Sequence, residues 1–271
     1  MKRLLTVVAV AFGAACTQVT TDPNAIVAVR FEGYAYPSIV ADDSLRDSLG
    51  ALQPLRATGL NYKGEPIEGA GFVFSSPDTV LRVYETGDVF ATRRKTDATP
   101  ARVFATAGKL QSVPDSLFIV QRADSMKAVK QVDTALFSPG IGAATAESSP
   151  TFQVFGDTVA GQPKAPVRKW LLSLQLRYKG TTIATTDTSF AFTFERSGGT
   201  TNAVRVQMIV DTTDDSGIAG HRVFVRNLDQ AEDSIYLIAT VRQRKANTEP
   251  LRDSTLVIIR PAPPTAALGR K

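Results

Sequence analysis

The sequence predicts an all-β protein built as two β-sandwiches in tandem. Three observations carry this. Apolar residues fall in short runs rich in Val, Thr, Phe and Ile, residue types that suit a pleated, half-buried surface. Turn residues interrupt these runs at intervals of about 8–12 residues, the spacing of a sandwich rather than of a helical protein. The phrase Tyr62-Lys63-Gly64 returns as Tyr178-Lys179-Gly180, and the runs around it return in a similar order. At 271 residues the chain is long enough for about two domains of ordinary size.

The first segment is of another kind. Lys2 and Arg3 precede the apolar stretch Leu4 to Phe12, which is too short to span a bilayer, and small residues Gly13, Ala14 and Ala15 follow. Cys16 comes next and is the sole cysteine of the chain. A lone thiol in an exported chain implies a free reactive group or an intermolecular bridge. Its placement gives a further reading, because Gly13-Ala14-Ala15-Cys16 resembles a bacterial lipoprotein lipobox, with Gly13 where that family usually carries Leu. The resemblance implies cleavage after residue 15, lipidation of Cys16 and, with Thr17 next, sorting to the outer membrane. Stable anchoring takes more than one acyl chain. Residues 16–24, with Asp22-Pro23, then read as a lipidated tether. With no other cysteine, no disulfide staples the rest.

Residues 25–122 read as the first sandwich. Ala25 to Gly33 alternates as a strand. Ala41 to Leu52 fits either a helical turn or two short extended pieces. Gln53 to Tyr62 alternates again, Lys63-Gly64 reverses the chain, and Ala70 to Ser76 resumes with Phe72 and Phe74 on one face. Thr79 to Arg94 reads as a hairpin about Thr86-Gly87-Asp88. Ala101 to Leu110 and Asp115 to Gln121 close the set.

Residues 123–262 repeat the order with longer spacers. Ala128 to Phe137 takes the opening role. Trp170 to Gly180 pairs with the run ending in Tyr62-Lys63-Gly64, and Ser189 to Glu195 with Ala70 to Ser76. Ala203 to Asp211 and Gly220 to Asn227 flank a polar turn. Ser234 to Arg242 pairs with Arg102 to Lys109, sharing Ala-Thr at 105–106 and 239–240. Asp253 to Arg260 pairs with Asp115 to Gln121. The repeated phrase is thus expected to be one turn between one pair of strands in two copies of a domain. Residues 263–271, rich in Pro and Ala, read as a disordered tail.

Seven short strands per half are the signature of an immunoglobulin-like sandwich. The first half resembles the bacterial Ig-like domains of group 2. Asn61-Tyr62-Lys63-Gly64 before Phe72-Val73-Phe74-Ser75-Ser76 echoes that family's turn and Val-x-Trp-Ser-Ser strand, with Phe74 in the tryptophan position. Thr86-Gly87-Asp88-Val89 echoes its hairpin, and Phe104-Ala105-Thr106-Ala107-Gly108 its closing strand. Asp211 to Val225 is similar to the invasin or filamin style of module. The resemblance implies spacing, adhesion or glycan contact at a cell surface, with no catalytic residues to transfer.

The candidate chemistry is sparse. His221 is the single histidine, no Gly-x-Ser-x-Gly elbow accompanies it, and at the start of an expected strand it reads as a rim residue. One histidine and one cysteine leave carboxylates as the remaining zinc ligands. Asp211, Asp214 and Asp215 share one loop and are the cation-binding candidate, although Asp, Thr, Ser and Gly are also what turns are made of. The recurring Asp-Ser-apolar step at Asp43, Asp47, Asp115 and Asp233 reads as a turn that opens a strand. The basic groups Arg93, Arg94, Lys95 and Arg242, Arg244, Lys245 are candidates for an anionic polymer, or are solvated loops. The formal charge is +5, without the interleaved aromatics of a nucleic-acid surface. Trp170 reads as core before glycan platform. No cofactor is implied. The expectation is a non-enzymatic, lipid-anchored envelope protein that acts as a spacer, an adhesion module or a protein-interaction module. A glycan- or anionic-polymer-binding accessory protein is the alternative, and envelope proteins or polysaccharide are the expected partners.

Overall fold

The computed structural model describes residues 22–34, 36–92, 100–137, 146–156, 164–182, 192–198, 202–206, 208–225, 233–245 and 247–261. Every regular element among them is a strand, so the protein is all-β. Burial alternates along the long strands: Leu172, Leu174 and Leu176 point inward from Leu171–Tyr178, and Ile235, Leu237, Ala239 and Val241 from Asp233–Val241. Each such leucine stabilises by about 2 kcal/mol relative to exposure, which sets which face of each strand turns in.

Two buried clusters result. Around the first, Ala28–Phe31, Ala57–Leu60 and Pro66–Ile67 form one antiparallel sheet. A second runs Ser38–Val40, Asp115–Val120, Ala101–Ala107, Val73–Ser75. Val29 from one sheet meets Phe74, Val103, Ala105 and Leu117 from the other. Thr86-Gly87-Asp88 turns the hairpin of Leu81–Val83 and Val89–Ala91, as its sequence predicts.

Around the second cluster the largest sheet runs Val132–Phe137, Leu251–Pro261, Asp233–Val241, Leu171–Tyr178. Met208–Thr212 and Thr181–Thr182 share the far side of Leu171–Tyr178. Ala123–Ala128, Thr151–Gly156 and Ile218–Gly220 form the facing sheet, and Phe152 and Val154 pack against the leucines named above. Ala146–Ser148, Val223–Val225, Phe192–Gly198 and Asn202–Val206 form another.

The halves share a topology. In each, a short strand near the start lies parallel to the closing strand, Ser38–Val40 on Asp115–Val120 and Val132–Phe137 on Leu251–Pro261. The strands Ala101–Ala107 and Asp233–Val241 each pair antiparallel with the closing strand, and Ala105 and Ala239 on them are both fully buried. The expected pairings of these last two strands therefore hold.

The repeated phrase does not mean what the sequence suggests. Leu171–Tyr178 sits beside Asp233–Val241, so its counterpart is Val73–Ser75 beside Ala101–Ala107, not the run that ends at Tyr62. Ala57–Leu60 pairs with the first strand instead, and Phe192–Gly198 belongs to a different sheet from the one that holds Phe74's counterpart. The turns differ too. Lys179 and Gly180 form a two-residue reversal with φ of 45° and 82°, the primed kind. The first copy uses the longer loop Asn61–Glu65, closed by Gly64 N to Asn61 O at 2.9 Å. Both phrases solve one local problem, reversing a chain after an aromatic residue with a positive-φ glycine. Tyr62 stands exposed with the Lys63 ammonium 5.6 Å from its ring centroid, while Tyr178 packs against the second cluster.

The strand pair between the clusters is buried on both sides. Ile39, Leu117 and Ile119 face the first cluster; Tyr36, Val40 and Val120 belong to the second. Only Gln121 and Arg122 separate Asp115–Val120 from Ala123–Ala128.

Candidate functional site

The most unusual chemistry among the described residues lies at this boundary. Arg244 follows Asp233–Val241 in a turn with φ +57° and is 1% exposed. Its Cζ lies 3.9 Å from the Tyr36 ring centroid and 5.3 Å from that of Trp170. The two rings meet edge to face at 5.6 Å. The guanidinium donates from Nη2 to Arg46 O at 2.7 Å and from Nη1 to Ser38 Oγ at 3.4 Å. Ser38 Oγ donates to Lys169 O at 2.9 Å, and Leu171 N donates to Tyr36 OH at 2.7 Å.

A second layer ties the same segments. Arg122 donates to Gln243 O at 2.9 Å and Arg244 O at 3.2 Å, and pairs with Asp43. Arg46 Nε lies 3.0 Å from the same carboxylate. Trp170 is fully buried, as its alternating strand predicts, and its Nε1 donates to Arg242 O at 3.0 Å. Buried Thr213 accepts from Trp170 N at 2.9 Å and donates to Val167 O at 2.7 Å.

The electrostatics follow from burial. Loss of water pulls the Arg244 pKa down to about 10, against the stabilising presence of Tyr36 and the more distant Asp43 and Asp47. Burial pushes the Tyr36 hydroxyl well above its ordinary value. Burial also opposes charge on Asp43, but hydrogen bonds from Arg122, Arg46 and Ser44 N outweigh it and hold the carboxyl below its usual range. Arg244 stays cationic at neutral pH, held by two π faces, one carbonyl and one hydroxyl rather than by a carboxylate, while its buried Nε has no hydrogen-bond partner. The arrangement binds the two clusters to each other; it presents no nucleophile or acid–base pair.

The sequence candidates separate. Arg244 is in this joint and is not a surface cation, whereas Arg242 and Lys245 are exposed. The reason is that its partners come from residues 36–46, far away in the chain. Cys16, Arg93, Arg94 and Lys95 lie outside the described residues. Two of the three candidate carboxylates, Asp211 and Asp214, accept from backbone, and Asp215 is exposed. Asp214 Oδ1 accepts from Ser216 N and Ile218 N at 2.8 and 2.9 Å, and Asp211 accepts from Thr212 N and Gly220 N. Among the described residues no three acidic, His or Cys side chains converge as a metal site. The Asp-Ser steps behave as turn chemistry: Asp43 and Asp115 each accept from the following serine N at 2.7 and 2.8 Å. His221 sits half-buried between Ile218–Gly220 and Val223–Val225. A pocket of about 260 Å³, lined by Glu32, Tyr34, Gln53 and Arg56 among others, is smaller than the ~300–1,000 Å³ of ordinary ligand sites. Tyr36, Ser38 and Arg122 carry no sequence signal and Asp43 reads only as a turn residue, since each is ordinary until its partner is in place.

No protein-family model matches the chain. No curated protein matches it either. Solved structures do. The adhesin InvE of Yersinia pseudotuberculosis is similar at 12% identity over 82% of this chain and 56% of its own, with a TM-score of 0.32. Mouse cadherin-23 repeats EC22–24 are similar at 13% identity over 87% of this chain and 64% of theirs, TM-score 0.27. Domains 4–9 of the surface-layer protein SbsC are similar at 12% identity over 89% of this chain and 31% of theirs, TM-score 0.29. The chain thus spans less than two thirds of each of these three. At such identities and scores the likenesses carry no argument about activity.

Proposed function

We propose that the protein is a non-enzymatic envelope lipoprotein, anchored through Cys16 at the outer membrane or cell surface, that acts as a stiff spacer and protein-interaction module. Two Ig-like sandwiches in tandem, the first of the group-2 kind, form the spacer. The observation that carries this reading is the joint. Arg244, Tyr36 and Trp170 fill the boundary between the clusters, and no Gly or Pro loosens the two-residue connection Gln121-Arg122. A spacer holds a fixed distance only when such a boundary is packed.

Two measurements test it. The mass of the mature N-terminal peptide from host membranes, with Cys16→Ser as control, is expected to show an acylated cysteine; an unmodified one removes the anchor. Cys16→Ser also gives a cysteine-free background for spin labels at Lys63→Cys and Lys179→Cys. A narrow distance distribution that broadens in Arg244→Ala supports the spacer. A distribution already broad in the parent sinks it.

A further inference from the structure

The outward face of the largest sheet carries a cluster of exposed apolar side chains. Val132, Leu136, Met208, Val210 and Tyr236 each keep 43–54% of their surface in solvent. They are neighbours through the sheet register. Val132 lies opposite Leu256, Leu256 opposite Tyr236, and Tyr236 opposite Arg177. Two residues along, Ile238 lies opposite Gln175 and Gln175 opposite Met208. The row crosses five strands, about 19 Å at the ordinary strand spacing. Burial of Ile235, Leu237, Ala239 and Val241 turns the alternate residues, Tyr236 and Ile238, outward. Apolar patches of this kind on soluble domains mark docking sites.

Among the described residues on the outward strand positions of this face the charges have one sign. Arg177, Arg252 and Arg260 stand exposed at its edges, opposite Tyr236, Thr240 and Leu136, and Arg242 extends the strand that carries Tyr236. No acidic residue occupies an outward position on the described strands of the sheet. Asp253 turns to the other face, where it accepts from Ala128 N at 2.6 Å, and Asp133 is held by Ser148 Oγ at 2.6 Å.

We propose that this face docks an acidic protein surface, with carboxylates meeting the arginines and apolar side chains meeting the Val132–Leu256–Tyr236 row. Charge complementarity selects the occupant. A second copy laid face to face would set arginines against arginines without a compensating acid. Membrane contact favours side chains that protrude, whereas these exposed side chains still keep about half of their surface covered within the sheet. Tyr, Met and Arg around an apolar centre are the composition of protein interfaces. The proposal names the partner class of the interaction-module reading, and it does not need the anchor or the joint.

The test uses the mature chain carrying Cys16→Ser, with a random glutamate–tyrosine copolymer as probe. Polyglutamate, phosphatidylglycerol vesicles and the chain's own self-association are the comparators. The copolymer is expected to bind at least about tenfold more tightly than polyglutamate. Tyr236→Ser and Arg252→Gln are each expected to weaken it severalfold, while Lys63→Gln and Lys109→Gln leave it unchanged. Near-ultraviolet dichroism of buried Trp170 confirms that the variants are folded. The proposal fails if the copolymer binds no better than polyglutamate, or if the control lysines weaken it equally. Vesicle binding without copolymer binding, or self-association through the face, also overturns it. Each of these outcomes leaves the acylation and spin-label results untouched.

Discussion

Arg244 and Tyr36 stack across the boundary between the two buried clusters, with the guanidinium carbon 3.9 Å from the ring centroid and 1% of the arginine in solvent. The buried cation is held by two π faces, the Arg46 carbonyl and the Ser38 hydroxyl. Removing it forfeits a desolvated cation–π contact of about 2 kcal/mol and leaves the Arg46 carbonyl without its donor, at about 1–3 kcal/mol. Relief of the buried charge offsets part of that. Arg244→Ala is therefore expected to lose about 2–3 kcal/mol in urea denaturation. Arg244→Lys should recover less than half of it, because an ammonium neither stacks nor forks. Calorimetry should also resolve two transitions where the parent shows one. A variant as stable and cooperative as the parent would remove the joint from the account.

The joint is expected to loosen in acid. Asp43 has a folded-state pKa below its unfolded value, because Arg122 and Arg46 hold its charged form. As pH falls, the unfolded chain takes up the proton first. The contribution is thus complete above about pH 4 and is lost as pH drops through the lower, folded-state value. Asp43→Asn should be less stable than the parent at neutral pH, and the gap should close below pH ~4. A gap that persists unchanged at low pH would mean that the carboxylate charge does not act there.

The joint also marks where the sequence stops being legible. Strand existence and facing follow from period-two alternation, and Leu172 to Leu176 or Ala105 and Ala239 are readable because their environment is set by the strand itself. Trp170 is readable for the same reason. Strand partnership is not local. The phrase at Tyr62 and at Tyr178 encodes a reversal and says nothing of which strand lies alongside, so matching phrases flank strands with different neighbours. Arg244 is further from reach. Its sequence neighbourhood is that of a solvated basic loop, and its burial is decided by Tyr36, Ser38 and Arg46, about two hundred residues earlier.

Two turn glycines with the same backbone sign should differ sharply on substitution. Gly64 has φ +79° with nothing within 4 Å of an added Cβ. Gly87 has φ +93°, and an added Cβ would sit 2.7 Å from Leu55 O. Gly64→Ala meets only the left-handed penalty of about 1–2 kcal/mol. Gly87→Ala adds a clash with backbone that is itself fixed, since Leu55 N donates to Gly87 O at 2.8 Å. It is expected to lose about 3 kcal/mol or more by chemical denaturation. Equal losses at the two positions would show that the hairpin moves freely away from Leu55.

The aspartate loop gives a test that separates turn chemistry from cation chemistry at one atom. Asp214 Oδ1 accepts two backbone N–H groups, from Ser216 and Ile218, and Gly217 N donates to Asp214 O at 3.0 Å. An amide oxygen can accept those bonds as an uncharged group; it is a poor substitute for a carboxylate on calcium. If the loop is a turn, Asp214→Asn should stay within ~0.5 kcal/mol of the parent, while Asp214→Ala strands two donors and loses about 1–2 kcal/mol. Millimolar calcium should then leave the midpoint of thermal unfolding where it was for all three, because a ligand that binds the folded state must raise it. A rise with calcium in the parent that Asp214→Asn abolishes would instead make the loop a cation site, with the backbone hydrogen bonds as its resting arrangement.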